Sequence, residues 1–278
     1  MKKLILLLLI PLVFTCSSDS SDDNQQDNNN FDNYPKLISL TQERPNECEG
    51  IRFLVEYSYS GDKILTYSLR QYWVFYNGEC NYFGDDGIIT NTVNNVYSGN
   101  LLISQNLFAY NFEGDISFRT INSYEYDEDG LLNKWRKQRF DINDVILIDN
   151  EMQVSWTNDN LTRQMTDIEG NFSITNYDSN YNILNESHYD QGQIISTRTY
   201  SYDMTQFDPL ANSDKFWWWN GAGPRPHNLW VSQTYNYEGD SYDTFREIVA
   251  NEYGFPISIS QTRSNDTSYN SIYNYNYE

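Results

Sequence analysis

Apolar and polar residues alternate with a period of two through much of this chain. Phe53, Val55, Tyr57 and Tyr59 interleave with Leu54, Glu56 and Ser58, and Tyr273, Tyr275 and Tyr277 interleave with Asn274 and Asn276. Successive side chains of an extended strand point to opposite faces, so each segment presents one aromatic face and one mostly polar face. That is the signature of an antiparallel sheet with a dry side and a wet side. A fully buried parallel strand would instead show a continuous apolar run. Turn chemistry separates the segments: Ser60-Gly61-Asp62, Asn77-Gly78, Asp86-Gly87, Glu113-Gly114-Asp115, Asp129-Gly130, Glu169-Gly170-Asn171, Gln191-Gly192 and Glu238-Gly239-Asp240. Such pairs supply the positive φ that tight hairpins need. The pattern predicts an all-β protein: one antiparallel up-and-down meander domain over residues 35–278, curled into a barrel or an open curved sheet.

The N-terminus follows a different pattern. Lys2 and Lys3 precede an apolar run from Leu4 to Phe14. At about 11 residues it is too short for the roughly 20 of a spanning helix and reads as a targeting segment. Val13-Phe14-Thr15-Cys16 resembles the lipobox of bacterial lipoproteins, with Phe14 and Thr15 where smaller residues are usual. The resemblance implies a signal peptide over residues 1–15 and lipidation of Cys16, which would make the membrane a partner through that anchor. Ser17 to Asp23, all Ser and Asp, resembles the surface-export signal of Bacteroidota lipoproteins. It implies an outer-membrane protein facing the cell exterior. Residues 16–34 are polar apart from Phe31 and the ends of the segment, too poor in apolar surface to offset chain entropy, and read as a disordered tether.

Composition narrows the partners. The chain carries 18 basic and 39 acidic residues, a net −21. Removing the two signal-peptide lysines leaves 16 against 39, or −23. Such a surface excludes nucleic acid as a partner, where positive charge must meet phosphate, and disfavours anionic lipid surfaces. Beyond Cys16 there remain Cys48 and Cys80, an even pair in an oxidising compartment, read as a disulfide with two separate buried thiols as the alternative. Twenty-four tyrosines, 14 phenylalanines and seven tryptophans favour strands.

A loose repeat runs through the domain. Tyr124-Glu125-Tyr126-Asp127 leads to Gly130; His188-Tyr189-Asp190 leads to Gly192; Tyr235-Asn236-Tyr237 leads to Gly239; Tyr253-Gly254-Phe255-Pro256 is a late variant. These resemble the tyrosine–aspartate repeats of long β-meander surface proteins. They are also similar to an uncharacterised family of Bacteroidota lipoproteins described as having a porin-like fold. The resemblance covers most of residues 50–278 and implies architecture and address, with no activity attached. A transmembrane barrel is the structural rival. It needs lipid-facing aliphatic bands with aromatic girdles at the rims, whereas tyrosine here runs along whole strands.

One segment interrupts the meander. Between Phe207 and Trp230 lie Trp217, Trp218, Trp219 and His227 in a Gly- and Pro-rich stretch. Three consecutive tryptophans cannot all face one way on a strand. An exposed indole could stack on a sugar, so Trp217, Trp218, Trp219, Trp230 and His227 form the candidate ligand site, with a loop plugging one end of the domain as the alternative. Carboxylates are abundant but unselective. Asp127, Glu128 and Asp129, like Asp85 and Asp86, read as hairpin tips and lack a calcium-loop pattern. His188 reads as a strand residue. No nucleophile elbow, metal-ligand set or cofactor motif is present, so no catalytic residue, metal or cofactor is expected. The sequence thus points to a surface lipoprotein acting as a non-enzymatic binding or scaffold module for a glycan or protein ligand. The competing readings are a carboxylate-dependent hydrolase and a purely structural or adhesive surface protein.

Overall fold

The computed structural model describes residues 36–209 and 227–278, apart from the side chains of residues 267–269. The residues read as signal peptide and tether, Cys16 among them, lie outside this range. Three strands open the domain: β1 (Leu37–Glu43), β2 (Ile51–Ser60) and β3 (Lys63–Gln71). A short hairpin follows, of β4 (Trp73–Tyr76) and β5 (Glu79–Tyr82). The middle of the domain is β6 (Ile88–Ser98), β7 (Leu101–Tyr110), β8 (Ile116–Tyr126), β9 (Leu132–Phe140) and β10 (Ile146–Thr157). Then come β11 (Thr162–Asp167), β12 (Phe172–Tyr177), β13 (Ile183–Asp190) and β14 (Gln193–Phe207). The last four are β15 (Asn228–Tyr237), β16 (Asp240–Ala250), β17 (Pro256–Arg263) and β18 (Asp266–Tyr277).

Sixteen of these strands form one closed antiparallel barrel in which each pairs with its sequence neighbour, β3 with β6, and β1 with β18. The predicted meander is therefore a barrel rather than an open sheet. The closing seam sets Leu40 opposite Tyr275 and Gln42 opposite Tyr273. One feature departs from the simple meander. Asn77-Gly78 does turn a hairpin, but β4 and β5 pair only with each other, outside the barrel sheet. Trp73 anchors the hairpin, buried to 1% exposure with the Arg52 guanidinium 5.8 Å from its ring. The Cys48–Cys80 disulfide ties β5 to the loop before β2.

The dry face points into the barrel. Val55, Ile64, Val93 and Ile259 are 0% exposed, and Tyr57, Tyr67, Leu102, Tyr124, Leu132, Val154 and Met165 pack in the same core. Side chains of the opposite phase face outward and pair in water, as in Lys134 with Glu125 and Glu151, Arg136 with Asp149, and Arg119 with Asp144. A barrel of this strand number can enclose an aqueous channel. Lumen-facing residues without solvent exposure cannot line one at their level.

The Tyr-x-Tyr-Asp segments explain themselves locally. Period two sends both Tyr124 and Tyr126 inward. Asp127 then closes the turn: its Oδ1 accepts the backbone N–H groups of Asp129 and Leu131. Gly130, at φ 77°, takes the left-handed position the turn requires. Asn111, Asp141, Asp167, Asp178 and Asn251 close their turns the same way. The aromatic residue before the turn reaches back to the preceding strand. Tyr59, Tyr97, Tyr126, Tyr202 and Tyr277 donate their hydroxyls, and Trp156 its Nε1–H, to the carbonyls of Leu37, Ile64, Leu102, Ile183, Pro256 and Leu132 respectively. This row of staples rings one end of the barrel.

Candidate functional site

The two ends of the barrel differ. At one end, the terminal end, Glu278 N–H donates to Lys36 O, and Phe207–Pro209 and His227 flank the tryptophan segment. The disulfide lies at the other end, together with the turns after β7, β9, β11, β13 and β15. Buried apolar and tyrosine side chains such as Leu37, Ile64, Leu102, Tyr124 and Leu132 gather toward the terminal end. Toward the disulfide end the inward phase turns polar and basic, with Lys137 and Arg139 following Trp135 along β9 and Arg263 following Gln261 along β17, while Arg163 and Arg246 share the inward phase nearer the middle.

A cavity of about 250 Å³ opens in this basic part, lined by Trp135, Met152, Arg163, Met165, Asp167, Asn171, Phe172, Ser173, Glu186, His188, Tyr189 and Ile195. Strand register builds it. One row across the sheet sets Arg163 beside Thr175, Thr175 beside Glu186, and Glu186 beside Arg198. The next row toward the disulfide end runs Met165, Ser173, His188, Ser196. Trp135 and Met152 face each other across β9 and β10. Phe172 and Tyr189 stack at 4.4 Å between ring centres.

The electrostatics centre on Glu186, which is 6% exposed. Burial pushes its pKa up, but the His188 side chain and the Arg198 and Arg163 charges together outweigh that and hold the carboxyl below its usual range. Arg198 Nη1 lies 3.3 Å and His188 Nε2 3.6 Å from Glu186 Oε2. The second carboxylate, Asp167, is occupied as a turn cap, taking backbone N–H groups on Oδ1 and Asn171 Nδ2 on Oδ2. The lowered pKa of Glu186 is the opposite of what a general acid needs. Arg163 is 2% exposed; its Nη2 donates to Thr175 Oγ1 at 3.3 Å and the Tyr177 ring lies 5.8 Å from its Cζ. Its Nε and Nη1 are buried with no hydrogen-bond acceptor, and so is Trp135 Nε1. Nearby, burial and the charge of Arg139 lower the pKa of Lys137.

The residues singled out in the sequence lie elsewhere. Trp217, Trp218 and Trp219 fall outside the described residues. Trp230 is half-buried on the lumenal side, with the Arg246 guanidinium 3.4 Å from its ring centre and Tyr200 edge-on at 6.2 Å. His227 is half-buried with its ring edge-to-face with Phe207 at 5.3 Å. Cys48 and Cys80 are bonded to each other, with Cα atoms 5.9 Å apart. Asp127 serves its turn, and among the described residues no three His, Cys, Asp or Glu side chains converge as a metal site. Arg163, Trp135, Glu186 and His188 were not foreseen as a group. A legible signal existed: Arg163 shares the inward phase of Met165, and a charged residue on the dry phase of a strand marks an unusual interior.

No family model matches the chain, and no curated protein does. Among solved structures, it is similar to a porin-like protein from Bacteroides vulgatus at 9% identity and TM-score 0.43, covering 88% of this chain and 99% of that one. A porin-like protein from Bacteroides uniformis matches at 11% identity and TM-score 0.37, over 87% and 98% of the two chains. The Tc holotoxin pore of Photorhabdus luminescens matches at 12% identity and TM-score 0.22, over 80% of this chain and 12% of that one. Likenesses this loose assign no function.

Proposed function

We propose that this chain is a lipid-anchored envelope protein that works as a non-enzymatic binding module, with its ligand site in the lumenal cavity near the disulfide end. The observation that carries the reading is the cavity itself, a pocket of about 250 Å³ lined by inward-facing side chains of the barrel. Its walls combine apolar surface from Trp135, Met152 and Met165 with a few fixed polar groups, the usual make-up of a small-molecule site. The engaged state of Glu186 and Asp167 favours binding over hydrolysis. The lipobox-like Val13–Cys16 supports the address, and the disulfide fits an oxidising compartment.

The test is a thermal-shift screen of the protein against a chemically diverse library of small molecules. A ligand at a hundred times its Kd should stabilise the fold by about 2.7 kcal/mol. Ile195→Trp, placed in the cavity wall, should abolish every such shift without lowering the melting temperature of the free protein. Shifts that survive this substitution would move the site away from the cavity. Cys16→Ser tests the address: it should release the protein from the membrane fraction.

A further inference from the structure

We infer that the cavity accepts a small organic carboxylate with a ring or apolar face, held by Arg163 and Trp135. This deepens the binding-module reading and rests on it. Buried N–H groups in a folded protein are almost always paired, and one left without an acceptor costs about 1–3 kcal/mol, more when charged. Here Arg163 Nε and Nη1 and Trp135 Nε1 are all buried without one. Both residues line the same cavity.

Neither carboxylate of the cavity reaches these donors. Glu186 faces Arg198 and His188, and Asp167 holds its own turn. What the cavity lacks is therefore an acceptor, and one facing a guanidinium is best met by an anion. Trp135, Met152 and Met165 supply apolar contact for the rest of the molecule. The volume of about 250 Å³ lies near the lower end of small-molecule sites and suits a ligand of a single ring and its substituents. The chain's net charge of −21 would repel such a ligand at long range, so the arginine must act at close quarters, where water is excluded.

The test uses the full chain in detergent and isothermal titration with four probes: glucuronate and its neutral counterpart glucose, benzoate and its neutral counterpart benzyl alcohol. At least one acid should bind about ten-fold or more tightly than its neutral counterpart, as expected for hydrogen bonds to a charged group. Preference for glucuronate would make the source an acidic sugar, and preference for benzoate an aromatic acid. Arg163→Met should remove the advantage, and Trp135→Phe should weaken it while keeping the ring. Glu186→Gln should tighten binding by removing a competing negative charge, a change that a purely structural arginine would not produce. Equal affinity for acids and neutral counterparts overturns the inference and leaves the binding-module reading standing. So does undiminished acid binding by a folded Arg163→Met protein. If none of the four probes binds, the carboxylate class is wrong, and the library screen alone decides the broader reading.

Discussion

Replacing Asn182 by alanine should destabilise the barrel far more than its position in a turn suggests. Asn182 is 0% exposed. Its Nδ2 donates to Asp178 Oδ2 at 2.9 Å and to Asn228 Oδ1 at 3.0 Å, and its Oδ1 accepts the Asn228 backbone N–H at 2.8 Å. Asn228, itself 2% exposed, donates from its own Nδ2 to Met204 O and Gln206 O, at 3.2 and 3.3 Å. The pair thus joins the β12–β13 turn to both flanks of the tryptophan segment. Truncation leaves the buried Asn228 N–H without an acceptor, worth about 1–3 kcal/mol, and removes two further hydrogen bonds at about 1 kcal/mol each. The sum is about 3–5 kcal/mol. Urea unfolding followed by tryptophan fluorescence should show an unchanged slope and a midpoint lowered by about 1–2 M. Asn180→Ala, in the same turn but exposed, should stay within about 0.5 kcal/mol of the parent. If the two variants unfold within about 1 kcal/mol of each other, the reasoning from buried polar pairing is refuted.

Three other outcomes are expected. Gly254→Ala should cost about 2–4 kcal/mol, because at φ +84° the added Cβ would lie 2.7 Å from Thr205 O. Gly170→Ala, at φ +87° with nothing within 4 Å, should cost about 1–2 kcal/mol, and melting temperatures of the two variants separate clash from backbone strain. Cys48→Ser should lower stability by about 3–4 kcal/mol, the loop-closure term for a sequence separation of 32, with the loss read from denaturant midpoints. Alkaline titration should be cooperative. Burial raises the tyrosine pKa values of Tyr67, Tyr124, Tyr126, Tyr202, Tyr275 and Tyr277, and brings Tyr200 to about 12. Because the folded values are raised, this stabilisation is complete below the unfolded value near 10 and fades as pH climbs through the folded values. Absorbance at 295 nm should therefore show a first, partial ionisation near pH 10 and a second that coincides with loss of structure. One smooth titration of every tyrosine near pH 10, with the fold intact, would contradict the burial seen here.

Much of the architecture was local enough to be legible in the chain. Alternation in segments such as Phe53–Tyr59 and Tyr273–Tyr277 gave strands with one dry face, and Asp127 with Gly130 gave the turn that joins two of them. Both depend only on the two-residue pitch of a strand and on which residues tolerate positive φ. Closure was not legible, since it requires Leu40 to meet Tyr275 across the whole domain. The departure of β4 and β5 was likewise hidden, because Asn77-Gly78 reads the same whether its hairpin joins the barrel or leaves it. The cavity lies between these cases. The sequence places Arg163 on the dry phase of its strand. That Trp135, Glu186 and His188 meet it is decided by the registers linking β9 to β14, where a slip of one residue would turn each side chain to the other face. Local pattern determined which face each residue takes, and long-range pairing alone decided which residues share a space.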